Sequence, residues 1–167
     1  MKINSHNEWD TLQEVIVGHA DARASLMFKN PADASPDRVE NALKIAEKAF
    51  PQWLVDEMKE DLEGLCKVLE DFGAKVLRPN ISNAHDFYMT PHFASTGCNC
   101  YNMRDLHLVV GNSVIESPSQ ERNRYFEATG LYDLWYEYLE EGFSWICGPK
   151  PRLKEGYKIL YPADGQM

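Results

Sequence analysis

The sequence predicts an α/β chain built from two copies of one strand, helix, strand unit. Three observations carry this. Apolar residues recur at three- and four-residue spacing in two stretches, Leu54 to Phe72 and Tyr125 to Leu139, as an amphipathic helix requires. Each stretch closes on a glycine, Gly73 or Gly142, and a short apolar run follows that stops at Pro79 or Pro149. The order strand, helix, Gly, strand, Pro thus occurs twice, and each unit has an apolar face that needs a neighbour.

Taken in order, Leu12 to Gly18 is a short apolar strand. His19 to Phe50 is polar and broken by alanine and proline, so a mobile insertion is expected there, with a short helix from Pro36 to Lys48. Pro51 suits the first turn of the next helix, whose apolar face is Leu54, Val55, Met58, Leu62, Leu65, Cys66, Leu69 and Phe72. Ala74 to Leu77 is the strand that follows. Leu106 to Val110 and Ser113 to Ser117 make a hairpin around Gly111-Asn112, a suitable two-residue turn. A second helix is expected from about Gln120 to Glu141, and a last strand from Phe143 to Cys147. The stretch from Lys154 to Met167 is polar, contains Gly156, Pro162 and Gly165, and reads as a linker.

At 167 residues the chain suits one domain, and a hydrophobic share of 44% with 26% charged residues matches a globular protein. The net charge of −9, from 26 acidic and 17 basic residues, argues against nucleic acid as a partner, because phosphate binding needs a basic footprint. No apolar stretch is long enough to span a bilayer and none resembles a secretory leader, so no membrane partner is expected. Cys66 and Cys147 fall on apolar faces and read as buried small hydrophobes. Cys98 and Cys100 are too close for comfortable disulfide geometry. Reduced thiols and a cytoplasmic setting are the expectation.

Chemistry concentrates in Met103-Arg104-Asp105-Leu106-His107-Leu108-Val109-Val110-Gly111-Asn112. It places Asp105 at the mouth of an expected buried strand. A carboxylate there can hold a planar cation through two parallel N–H···O bonds. Alternatively Asp105 caps the strand entrance or pairs with Arg104. A nucleophilic role for Cys98 or Cys100 needs a base and a lowered pKa, for which His92 and His107 stand nearby in sequence. Zinc is not expected, because Cys-x-Cys is a poor ligand spacing and His107 alternates with leucines on a strand. Arg122 and Arg124 fall at a helix start, where the dipole favours acids. They suit an ion pair with Glu116 or Glu127, or a substrate carboxylate. Trp135, Tyr136 and Tyr138 read as core and helix surface.

Together with Asn7-Glu8-Trp9-Asp10-Thr11-Leu12-Gln13-Glu14-Val15-Ile16-Val17-Gly18, the Arg104-Asp105 segment resembles the front part of the amidinotransferases. Ser95-Thr96-Gly97, Val109-Val110-Gly111-Asn112, Arg122-x-Arg124-Tyr125-Phe126 and Gly148-Pro149-Lys150-Pro151 match in the same order over most of the chain. Residues 19–41 align little, and Cys98-Asn99-Cys100 is unusual for the family.

The resemblance implies a guanidino-modifying α/β propeller of the pentein type, of which this chain supplies about two ββαβ blades of five. Blade one would span residues 7–80, blade two 95–151, and a linker tail 152–167. It implies transfer of an amidino group from L-arginine to an amine such as glycine, without a cofactor. A cysteine thiolate would attack the guanidinium carbon while a His-carboxylate pair moves protons. Those three groups lie in later blades of the family, so no catalytic residue is assigned and the chain alone is expected to be inactive. Asp105 carries over as a guanidinium ligand, with Arg104, Ser95, Thr96 and Gly97 around it. Gly97 either lets backbone approach the substrate or simply makes a tight turn. Glu8, Trp9 and Asp10 are expected to be structural, with Trp9 packing the first blade. The partner would be arginine or a related guanidino compound, and a C-terminal complementing chain or a second copy would complete the assembly. A non-catalytic guanidino-binding module is the competing reading.

Overall fold

The computed structural model describes residues 3–21, 27–28, 35–46, 50–84, 86–97, 100–119 and 121–150. The expected linker from Lys154 and the thiol of Cys98 lie outside them. The first unit runs β1 (Glu14–Ile16), β2 (Met27–Phe28), α1 (Pro36–Ala46), α2 (Gln52–Asp71) and β3 (Lys75–Leu77). A hairpin of β4 (Phe87–Met89) and β5 (Ala94–Thr96) follows. The second unit comprises a 3-10 turn (Met103–Leu106), β6 (His107–Val110), β7 (Ser113–Glu116), a 3-10 turn (Glu127–Leu131), α3 (Tyr132–Glu140) and β8 (Ser144–Cys147).

Both units fold by the same logic. β1 and β3 pair in parallel across α2, and β7 and β8 pair in parallel across α3. Parallel neighbours need such a crossover. Pro51 sits at the N-cap of α2. Each helix ends on a glycine with positive φ, Gly73 at 89° and Gly142 at 86°. The next residue's N–H then reaches back, Ala74 to the Leu69 carbonyl and Phe143 to the Tyr138 carbonyl. α2 buries Val55, Leu62 and Cys66, and the last two pack with Val17, Ala20 and Val76. α3 buries Trp135 and Tyr138 with Val114, Leu131 and Phe143, and Ile16 and Leu77 of the first sheet pack against that same cluster.

Several expectations are corrected. The first strand covers three residues rather than seven. Beyond it His19 and Ala20 belong to the packed core rather than to an insertion: Ala20 is fully buried and the His19 N–H bonds the Cys100 carbonyl at 2.8 Å. Trp9 is not packed into the first unit among the described residues, standing 84% exposed. β2, β4 and β5 form a three-stranded antiparallel sheet that the sequence did not announce.

The second helix is the largest correction, since it starts at Tyr132 and not near Gln120. Residues 123–126 turn, and 127–131 wind as 3-10. Gly130 explains part of this, because its backbone lies against the first unit and its carbonyl accepts the Asn80 N–H at 2.7 Å. A Cβ there would stand 3.0 Å from the Asn80 carbonyl oxygen. β6 is not buried either: Leu108 and Val110 are 59% and 52% exposed. Cys147 is exposed, although its thiol lies against Glu116.

Candidate functional site

Asp105 stands in the 3-10 turn that enters β6. Buried Met103 and Leu106 anchor the turn on either side of it, and the Asp105 N–H bonds the Asn102 carbonyl at 3.1 Å. The turn leaves through the Ser117 N–H, which donates to the Leu106 carbonyl at 2.8 Å. Its entry is seated on the first unit, where Gly18 backbone lies under Tyr101 so closely that a Cβ would fall 1.8 Å from the Tyr101 carbonyl oxygen. The loop carrying Asp105 is therefore fixed against β1.

The side chain of Asp105 is held from within the same unit, by the stretch that leads into the second 3-10 turn. Arg124 donates from Nη1 to Asp105 Oδ2 at 2.7 Å and from Nη2 to the Asn102 carbonyl at 3.0 Å. Its Nε and Nη2 reach both oxygens of Glu127, at 2.5 and 3.1 Å. This is the bidentate fork that arginine makes on a carboxylate. The Glu127 side chain is fully buried and that of Arg124 is 16% exposed, whereas Asp105 is 49% exposed. Burial works against the Arg124 charge, but its bonds to Glu127 and Asp105 more than offset this and raise its pKa. Burial pushes Glu127 above the ordinary carboxylate range, with Arg124 opposing. The result is a relay, buried Glu127 to Arg124 to the half-open carboxylate of Asp105. Among the described residues Asp105 Oδ1 takes no partner.

The other expected site residues separate. Arg104 does not pair with Asp105; its Nη2 lies 3.6 Å from Glu8, with both side chains almost fully in solvent, a contact worth little. Ser95 and Thr96 are buried within β5, and the Ser95 hydroxyl bonds the Thr96 carbonyl at 2.9 Å. Gly97 borders a cleft of about 400 Å³ shared with Asn80, Asp86, Tyr88, Cys100, Glu127 and Asp133. Asp105 does not line that cleft. Glu127 does, so it stands between the cleft and the Arg124–Asp105 pair.

Arg124 takes Glu127, one of the two partners expected for it, and Glu116 goes to Lys150 instead, at 3.1 Å. Arg122 lies 5.1 Å from the centroid of the Phe93 ring, and its carbonyl accepts the Tyr88 hydroxyl. Buried Glu116 also receives Tyr132 and Cys147, at 3.4 and 3.6 Å. Burial first and then Glu116 push the Cys147 thiol up, which makes it a poor nucleophile. His107 packs on Trp135, with ring centroids 5.4 Å apart. Glu127 and the Asn102 carbonyl were missed by sequence reasoning as site groups. The i, i+3 spacing of Arg124 and Glu127 was the signal available for the first.

No family model matches the chain. Individual proteins do. It is 37% identical over 170 residues to the mitochondrial glycine amidinotransferase of Xenopus laevis, covering 95% of this chain and 38% of that one. It is 36% identical over 157 residues to the L-arginine:L-lysine amidinotransferase of Pseudomonas savastanoi pv. phaseolicola, covering 90% and 42%. The solved structure of the inosamine-phosphate amidinotransferase of Streptomyces griseus superposes with a TM-score of 0.76 at 34% identity, over 92% of this chain and 44% of that one.

The chain is homologous to part of the amidinotransferases. It spans less than half the length of each of these relatives. Its α/β architecture agrees with that of its amidinotransferase structural neighbours, and no closed ring of strands is present among the described residues. No helix among them is long and apolar enough to cross a membrane.

Proposed function

We propose that this chain is the guanidinium-gripping part of an amidinotransferase that moves an amidino group from L-arginine to an amine such as glycine. The observation that carries the proposal is the oriented carboxylate of Asp105, fixed through Oδ2 by Arg124, beside the family resemblance of the segment that bears it. A guanidinium presents N–H groups in a planar fork, and a carboxylate whose second oxygen is open can accept from it. Holding Asp105 still before substrate arrives reduces the ordering cost at binding. Gly97 borders the neighbouring cleft, just beyond β5, where Ser95 and Thr96 are buried.

In this reading the remaining portion of the enzyme supplies the thiolate, the histidine and its acidic partner. The thiolate attacks the guanidinium carbon, ornithine leaves with the proton delivered to its amine, and the amidino group then passes to the acceptor amine as the thiolate is released. Residues 7–80 and 95–151 form two of five propeller blades, with 152–167 leading onward, and no cofactor takes part. The free thiols of Cys66, Cys100 and Cys147 support the cytoplasmic setting.

A non-catalytic guanidino-binding module is the second reading. It draws on Cys100 being 1% exposed and Cys147 having a raised thiol pKa, since neither is a ready nucleophile. Ornithine release from arginine and glycine separates the two. The chain is assayed alone and when joined to the portion of the Streptomyces griseus enzyme that it does not match. Turnover only in the joined protein supports the enzyme reading; silence in both favours the binding module; turnover by the chain alone overturns both.

A further inference from the structure

Among the described residues the second sheet has one face packed and one face bare. Val114 is fully buried against α3, and Trp145 stacks edge-on with Tyr132 and Tyr136. On the opposite face Leu108, Ile115 and Ile146 stand directly across from one another in register. They are 59%, 36% and 52% exposed, and Val110, two residues beyond Leu108 and so on the same face, is 52% exposed. The row carries no charge. An apolar ladder of this kind on a single face marks a contact surface rather than scattered exposed side chains.

The first sheet shows what such a face meets. Val76 faces α2, packing with Leu62 and Cys66. The directly opposed pair Ile16 and Leu77 turns the other way, into the cluster built around Leu131 and Trp135 of the second unit. Asn80 locks that arrangement, its N–H on the Gly130 carbonyl and its side chain on Asp133 at 3.0 Å. The first sheet is therefore covered by its own helix on one side and by the next unit's 3-10 turn and helix on the other. Among the described residues the second sheet has its own helix alone, and the homologous enzymes are more than twice as long as the part this chain matches.

We infer that the Leu108–Ile115–Ile146 face is the seat of an apolar helix from a third strand–helix unit, contributed by the rest of an amidinotransferase. A second copy of this chain fits less well, because the equivalent face of the first sheet is covered by side chains of a helix and its leading turn, not by another sheet. The inference names the partner of the reading above and rests on it only through the family's greater length; the role of Asp105 does not enter.

The test is association of this chain with the unmatched portion of the Streptomyces griseus enzyme, co-expressed as a separate polypeptide and measured by co-purification and analytical ultracentrifugation. A one-to-one complex is expected. Replacing Leu108→Lys and Ile146→Lys together should weaken it by at least about tenfold, as loss of a central apolar anchor does, and leave the melting midpoint of the isolated chain unchanged. The pair Leu108→Thr and Ile146→Thr, which keeps strand preference, guards against misfolding and should weaken it in the same direction. Asp105→Asn should leave the complex intact, so a complex that forms without turnover faults the proposed activity and not this surface. No complex, a complex indifferent to both double variants, or self-association of the chain that both variants abolish would each overturn the inference.

Discussion

Arg124 Nη1 lies 2.7 Å from Asp105 Oδ2, while the same guanidinium grips both oxygens of fully buried Glu127. One arginine thereby joins the turn that enters β6 to the turn that leads into α3. Asp105 is carried on a loop seated against Gly18, with one carboxylate oxygen held by Arg124.

Removing Arg124 should cost far more than removing an exposed pair. Arg124→Ala leaves Glu127 buried without its counter-ion, and breaking a buried pair from one side costs about 3–5 kcal/mol. Glu127→Gln keeps an acceptor for Arg124 and should cost about 1 kcal/mol. Urea unfolding of both variants checks the order, and equal costs would mean that Glu127 carries no burial penalty.

Glu127 also sets an acid-side dependence. Its folded pKa is raised above 4.5, chiefly by burial. The folded protein thus takes this proton more readily than the unfolded chain does. The stabilisation is complete below pH 4.5 and is lost as pH rises through the folded value. Glu127→Gln should remove this component from the stability profile measured between pH 4 and 7, and an unchanged profile would show that Arg124 cancels it.

His107 acts in the opposite sense. Its Nδ1 bonds the Met103 carbonyl at 3.2 Å, and its Nε2 is buried without a partner among the described residues. Burial, the largest cause, lowers its pKa from 6.5. The stabilisation is present above pH 6.5 and lost as pH falls through the folded value. His107→Phe, which keeps a ring against Trp135, should flatten the fall in melting midpoint below pH 6.5. A wild-type slope in that variant would assign the effect elsewhere.

Gly18 fixes the loop before Asp105. Alanine there would put Cβ 1.8 Å from a backbone oxygen that has no side-chain freedom with which to yield. Gly18→Ala should destabilise the chain by about 3 kcal/mol or more, at the upper end of overpacking costs. Amide exchange should rise at residues 100–106 before it rises elsewhere. Uniform loosening would indicate that Gly18 serves the core alone.

Local grammar made much of the fold legible. Pro51, Gly73 and Gly142 bound their helices through dihedral preference, which acts on the residue itself, and the Gly111-Asn112 hairpin follows from the same chemistry. The second helix was misjudged because Arg122 to Phe126 read as helical by spacing, whereas their side chains are spent on Glu127, Phe93 and Tyr88, partners brought by tertiary contact. β4 and β5 were invisible for a related reason: three-residue strands leave too short an alternation to recognise, and Ala94, Ser95 and Thr96 are buried on both faces. At the candidate site Asp105 was legible from its segment. Its partner was not, since 19 residues separate it from Arg124 and no local rule joins them.

The most direct test of the central claim is the preference for arginine over citrulline, whose neutral ureido group replaces the guanidinium. It is measured by calorimetry on this chain joined to the unmatched portion of the Streptomyces griseus enzyme, with Asp105 and with Asp105→Asn. A charge-assisted bond is worth about 1.5–3 kcal/mol, so the variant should lose roughly 10- to 100-fold of the preference for arginine while its melting midpoint holds. An undiminished preference in the Asn variant would contradict the assignment of Asp105 as the guanidinium ligand.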